Sequence, residues 1–252
     1  MLLGEPPRTP YDLNFSLFGI PVRVHPLFWL VTLILGYNNS DLGSVVTWVI
    51  AVFLVIVVHE LGHAMTMRAY GFQPWITLYG LGGQASYTPG YGSYQRRGSG
   101  PFEQILICLA GPGAGFLLVG VLCLVLILAG FGRDIVLLSI GQIPILPQLI
   151  QFPVARIGYL LNDVFFIGVF WGLLNLLPIY PLDGGQVARE ILLKANPQMG
   201  IQQSLWLSIF AAVAMAIFGY VQWGSPFMAM FFGYLAFASY STLEAYRGRG
   251  PW

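Results

Sequence analysis

The chain has 252 residues, of which 57% are apolar and only 8% charged, with a mean hydropathy of +0.74. Soluble domains are close to a quarter charged, so this composition excludes an ordinary water-soluble globule. Eleven Lys and Arg against ten Asp and Glu leave a net charge of +1, which excludes the basic surface that a nucleic-acid binder needs to neutralise phosphates. At roughly 20 apolar residues per crossing, a chain of this length holds about six membrane helices. The expectation is one domain, residues 1–252: an all-α polytopic membrane protein with short surface β segments.

Along the chain, residues 1–26 mix Pro, Arg, Glu and Asp, and no positive patch runs directly into an apolar core, so no cleaved signal peptide is predicted. Residues 15–24 (FSLFGIPVRV) are too short to span as a helix and mix β-branched, aromatic and Gly residues, which predicts a strand or hairpin at the membrane surface. Residues 76–87 (ITLYGLGGQASY) read the same way. Apolar runs predict helices at approximately 27–36, 45–69, 105–131, 157–177, 205–223 and 226–245. A further apolar stretch, 135–152, carries Pro144, Pro147, Gln142, Gln148 and Gln151, with Pro153 just beyond it. Proline breaks helical hydrogen bonding, so this stretch reads as an interfacial or re-entrant loop. Cys108 and Cys123, the only cysteines, lie in one apolar run and imply neither a disulfide nor a thiolate metal site.

With the N-terminus in the cytoplasm, Arg8, Arg23, Arg68, Arg96, Arg97, Arg189, Lys194, Arg247 and Arg249 fall inside, against Arg133 and Arg156 outside. That distribution obeys the positive-inside rule and predicts an integral, multi-pass protein of the cell membrane with both termini cytoplasmic.

Two of the three histidines stand in His59-Glu60-Leu61-Gly62-His63, an HExxH motif. On a helix, positions i and i+4 share a face, so both imidazoles reach one Zn²⁺ while Glu60 faces the attacking water. The motif follows an unbroken apolar run inside a membrane helix, where an uncompensated carboxylate costs about 3 kcal/mol or more. A catalytic zinc needs a third protein ligand, and His25 or a carboxylate must supply it. At 1.5 Å per residue, His63 and His59 lie about 9 and 15 Å before the cytoplasmic end of their helix. Asp134 and Asp163 belong to the other side, whereas Glu103 and Asp183 lie near the correct one. Asp183 ends Asn175-Leu176-Leu177-Pro178-Ile179-Tyr180-Pro181-Leu182-Asp183, where two prolines break the helix. Locally, Asp183 also reads as an N-cap for a cytoplasmic helix over 186–194. His25, before Pro26, reads as a hydrogen-bonded interfacial residue.

Together the two motifs resemble the site-2 protease family, zinc metalloproteases that cleave within the membrane. The family pairs HExxH with an Asn-x-x-Pro-x-x-Pro-Leu-Asp-Gly segment two membrane helices on, matched here by His59 to His63 and by Asn175, Pro178, Pro181, Leu182, Asp183 and Gly184. The resemblance covers about residues 15–190, including Gly82 and Gly83. It implies His59, His63 and Asp183 as Zn²⁺ ligands, Glu60 as general base and acid, and Asn175 as a polar group near the substrate. One departure is Gly115, where the family usually places Asn after its Gly-Pro motif; small-residue helix packing is the role left to it. A minimal branch without PDZ or nucleotide-sensing modules is implied.

The expected activity is intramembrane zinc endopeptidase, acting near the cytoplasmic side on a transmembrane or membrane-associated protein substrate in the lipid bilayer. Water would reach the site through the Gly-rich segment 71–100 and the breaks around Asp183. A transporter or channel lining an ion path with the same polar groups is the alternative, as is a binding protein of the same fold. The sequence sets no oligomeric state.

Overall fold

The computed structural model describes residues 6–37, 41–80, 82–88, 100–140 and 143–248. Of these, the residues within Leu3–Arg97 and Ala110–Leu173 form one compact unit, and those within Gly98–Leu109 and Leu174–Trp252 form a second.

In the first unit, β1 (Leu13–Leu17) and β2 (Ile20–Val24) form an antiparallel hairpin. Its tip, Phe18 and Gly19, turns through positive φ, and the Phe18 carbonyl accepts a 2.5 Å hydrogen bond from Arg68 Nη1. The Arg23 guanidinium meets Asp12 at 3.1 Å. Thr9's hydroxyl, and then its N–H and Arg23, hold the Asp12 carboxyl below the usual carboxylate range against the opposing effect of burial. His25 caps α1 (Pro26–Gly36), its Nδ1 accepting the Leu27 N–H at 3.2 Å, with Pro26 at the first helical position. Asp41 caps α2 (Leu42–Ala69) by accepting the Ser44 N–H.

β3 (Gln73–Tyr79) and β4 (Gly82–Thr88) complete a four-stranded sheet of order β1-β2-β3-β4. β2 and β3 are parallel, with Val22 opposite Ile76 and Val24 opposite Leu78, and the crossover that a parallel pair requires is the α1–α2 segment. Alternate residues of the two central strands point to one face. Ile20, Val22, Val24, Ile76 and Leu78 are buried there against Ala51, Val52, Val55 and Ile56 of α2. The two segments expected to be surface strands are thus strands, joined in one sheet.

α3 (Pro101–Leu126) runs on through a π turn and a 3₁₀ turn to Asp134. Residues 135–152, expected to be an interfacial or re-entrant loop rather than a span, hold a pair of antiparallel strands, β5 (Ile135–Ile140) and β6 (Ile143–Leu149). In a two-stranded ribbon each strand has a free edge, so Pro144 and Pro147 cost no ladder bond when their missing N–H faces outward. Asn162 of α4 (Ala155–Asn175) pins this hairpin: its Oδ1 accepts the Leu149 N–H at 2.7 Å and its Nδ2 donates to the Leu149 carbonyl at 2.9 Å.

The second unit contains α5 (Asp183–Ala195), α6 (Gly200–Trp223) and α7 (Pro226–Gly248). α6 ends in a left-handed Gly224, which needs no Cβ relief, and α7 starts two residues later.

Among the described residues, four helical segments are long and apolar enough to cross a membrane: Leu42–Ala69, Pro101–Asp134, Ala155–Asn175 and Gly200–Trp223. Val46, Ile50 and Leu54 form an exposed apolar stripe along α2, as expected of a surface that meets lipid. Length and composition therefore support four of the six expected spans. The eleven residues of α1 rise only about 16 Å, against a hydrocarbon core of about 30 Å. The second half of α7 carries Ser239, Ser241, Thr242, Glu244 and Arg247.

Candidate metal centre

His59 and His63 lie one turn apart on the buried face of α2, 3% and 6% exposed. Their Nε2 atoms are 3.1 Å apart, and the rings meet edge-on at 75°. Two imidazoles on one tetrahedral Zn²⁺, each at about 2.0–2.1 Å, hold their nitrogens about 3.3 Å apart, so this pair fits a single ion. Glu60, between them in sequence, is 4% exposed. Imidazole and carboxylate groups buried in an apolar span are costly unless something compensates them, and a shared cation does so.

Two glycines leave the room these side chains occupy. A Cβ on Gly83, in β4, would come within 2.8 Å of Glu60 Oε1, and one on Gly111, in α3, would overlap His63 Nε2. β4 therefore lies directly against the Glu60 carboxylate, and α3 against the second imidazole. The backbones of α2 and α3 approach closely at the same level, since a Cβ on Gly62 would collide with the Ala110 carbonyl. Such contacts between small residues are how helices pack where lipid supplies no hydrophobic drive. One turn on from Gly111, a Cβ on Gly115 would stand 3.6 Å from the Gly168 carbonyl of α4, an ordinary contact distance.

The remaining sequence candidates are placed as follows. Asn175 is the last residue of α4 and Asp183 the first of α5, each 8% exposed and both in the second unit. His59, His63 and Asp183 are each buried, and each offers one ligand atom. Asp183 is not an N-cap: the helix starts at Asp183 itself, and the cap position, Leu182, has no capping side chain. The broken segment before it delivers the carboxylate into the first turn rather than ahead of it. His25 is buried and its Nδ1 is committed to capping α1, so it is hydrogen-bonded as expected. Glu103 stands in the first turn of α3. Arg96, Arg97 and Arg249, and residues 81 and 89–99 of the expected water path, lie outside the described residues.

The close approaches of Gly83 and Gly111 were not readable as such from the sequence. The Gly pair in β4 and the Gly-Pro motif of α3 marked the places but not the partners.

Residues 47–217 match peptidase family M50, a segment that contains His59, Glu60, His63, Asn175 and Asp183. A zinc metalloprotease of Methanocaldococcus jannaschii is 30% identical over 186 residues, covering 71% of this chain and 45% of its own length. A Synechocystis sp. protein, assigned by name to the same class, is 31% identical over 202 residues, covering 74% and 46%. The matches span less than half the length of these relatives. The fold is similar to that of the solved site-2 protease from M. jannaschii, with a TM-score of 0.56 at 24% identity over 92% of this chain and 95% of that one. The chain is an integral membrane protein and belongs to peptidase family M50, the site-2 protease family.

Proposed function

We propose that this chain is an intramembrane zinc endopeptidase that hydrolyses a peptide bond of a transmembrane or membrane-associated protein near the cytoplasmic side of the bilayer. The observation that carries this reading is the buried imidazole pair of His59 and His63, Nε2 atoms 3.1 Å apart, with Glu60 beside it in an apolar span. His59, His63 and Asp183 are the proposed ligands of Zn²⁺, a donor set of two imidazoles and one carboxylate that suits catalytic zinc. When bound, the ion supplies a Lewis acid for the scissile carbonyl and makes water acidic enough to react near neutral pH.

The Glu60 carboxylate takes the proton of the attacking water and delivers it to the leaving amine. Asn175 holds the substrate through its amide. Among the described residues β4 is an edge strand of its sheet, with Gly83 against Glu60. An extended substrate segment pairing with that edge would run past the general base. Residues 1–252 act as one membrane-embedded domain of six membrane segments in the cell membrane, with both termini cytoplasmic, as the charge distribution favours.

Elemental analysis of the purified chain is expected to find about one zinc, lost in His59→Ala, His63→Ala and Asp183→Ala. Unchanged zinc in Asp183→Ala reassigns the third ligand to Glu103 or His25. Membrane proteomes of cells carrying the active chain or Glu60→Gln are expected to differ by truncated substrates. Identical proteomes would overturn the proteolytic reading in favour of transport or binding.

A further inference from the structure

α6 and α7 lie beyond the residues that carry the proposed chemistry, yet both present a fully buried hydroxyl to the segment that precedes Asp183. Ser208 of α6 is 1% exposed and Ser239 of α7 is 0% exposed. Ser208 Oγ accepts the Tyr180 N–H at 3.0 Å and donates to the Ser204 carbonyl at 2.8 Å. Ser239 Oγ donates to the Tyr180 carbonyl at 3.1 Å. Both polar groups of one residue, three positions before Asp183, are thus gripped by two different helices.

The segment has few other ways to be held. Pro178 and Pro181 have no N–H to give. The Ile179 and Leu182 N–H groups close local turns onto the Leu177 and Ile179 carbonyls at 2.7 and 2.8 Å. The Pro181 carbonyl accepts from Gln186 Nε2 of α5 at 3.2 Å, and Tyr180 is where this backbone reaches α6 and α7. The two hydroxyls are themselves buried, and a buried polar group without a partner costs free energy comparable to a lost hydrogen bond, so these bonds fix where the segment sits rather than decorate it.

We infer that Ser208 and Ser239 are positioning residues for Asp183: they clamp the backbone on either side of the Tyr180 Cα and so fix the carboxylate that α5 carries. This inference rests on the proposal that Asp183 is a metal ligand. Groups that orient a metal ligand typically change metal affinity by about 10- to 100-fold when removed, and the clamp belongs to that class.

The test uses the full chain in detergent, with zinc affinity measured by chelator competition and backbone hydrogen exchange measured without metal. Ser208→Ala/Ser239→Ala is expected to weaken zinc binding by about tenfold or more and to speed exchange in residues 179–183. Ser204→Ala, which removes a buried hydroxyl of α6 that bonds only within its own helix at the Ile201 carbonyl, is expected to change neither. Ser239→Thr, which keeps the hydroxyl, is expected to restore affinity. If the double variant does not fold, the single alanine variants decide the matter on the same measurements. Zinc affinity unchanged in the serine variants, while Asp183→Ala loses zinc, overturns the clamp alone. A lower Tm with faster exchange throughout α6 and α7 and unaltered zinc affinity does the same, because it marks a merely structural role. Zinc affinity unchanged in Asp183→Ala overturns the ligand assignment itself.

Discussion

Arg156 Nη2 lies 2.6 Å from Asp41 Oδ2, joining the residue that caps α2 to the first turn of α4 across 115 positions of sequence. Six residues further along α2, Thr47 hydrogen-bonds Asp163, seven residues further along α4. The two helices therefore run in step and in the same direction, and α3 returns between them in sequence. On the orientation proposed from the charge distribution, both N-terminal ends face away from the cytoplasm.

Cysteines placed at Asp41 and Arg156, with Cys108 and Cys123 replaced, are expected to react with an impermeant thiol reagent from the same side of the membrane. On the orientation proposed above, that side is the outside, and Ser225→Cys shares it. Ser93→Cys, outside the described residues, is expected to label from the cytoplasm. The reverse pattern would place the metal centre near the other face.

Asp41 offers a pH signature of the α2 cap. Arg156 first, and then the Ser44 hydroxyl and N–H, hold its carboxyl well below the usual carboxylate range. A carboxyl depressed on folding adds stability that is present above its unfolded pKa, near 4, and lost as the pH falls through the folded value. Asp41→Ala is therefore expected to lower Tm at pH 7, with the difference shrinking as the pH drops below about 4. Asp41→Asn, which keeps a good N-cap acceptor, is expected to lose less. Thermal unfolding followed across this pH range checks both.

Glu60→Gln keeps the shape of the side chain but cannot accept the water proton. It is expected to retain zinc while turnover falls by at least about 10²-fold, measured on one preparation by metal analysis and a cleavage assay. Retained turnover would remove Glu60 from its proposed role.

The two close-approach glycines are expected to separate binding from chemistry. In Gly111→Ala the new methyl enters the space of His63 Nε2, so zinc affinity falls by about tenfold or more. In Gly83→Ala it displaces the Glu60 carboxylate instead. There zinc stays and kcat drops, by up to about 10²-fold for a shift near 1 Å. Equal effects of the two variants on zinc would contradict this division.

A substrate helix has its carbonyls tied in i to i−4 bonds, so it must open locally to present one to the site. Gly, Pro or Asn near the cleavage point lowers that cost, by about 1 kcal/mol for Gly and about 3 for Pro relative to Ala. Cleavage is expected toward the cytoplasmic end of the substrate helix, within about one turn of such a residue. Replacing it by Leu and mapping the products by mass spectrometry checks this. Undiminished cleavage of a continuous Leu/Ala helix would show that intrinsic unwinding is not required.

Much of the site was legible because its signals are local. The spacing of His59 and His63 follows from the 3.6-residue turn, and their apolar surroundings are visible as an uninterrupted run. Capping of α1 by His25 was not read from the sequence, which placed His25 only as a hydrogen-bonded interfacial residue before Pro26. The reading of residues 135–152 missed the β5–β6 hairpin because proline argues against a helix without arguing against an edge strand. Ser208 and Ser239 were invisible because an isolated Ser in an apolar helix commonly bonds to its own backbone, and only the partner segment reveals otherwise.

The sequence by itself determined membrane class, the metal-spaced histidines with a glutamate between them, and the broken segment before Asp183, all of which depend on residue type and short-range periodicity. Only the tertiary structure decided what depends on distant chain segments meeting. It made β2 and β3 parallel neighbours across two helices, set Gly83 against Glu60 and Gly111 against His63, and brought two serines from separate helices to the backbone of one residue, Tyr180. Contacts of that kind are fixed by close packing of backbones and by the need to satisfy buried polar groups, and neither leaves a periodic trace in the order of residues.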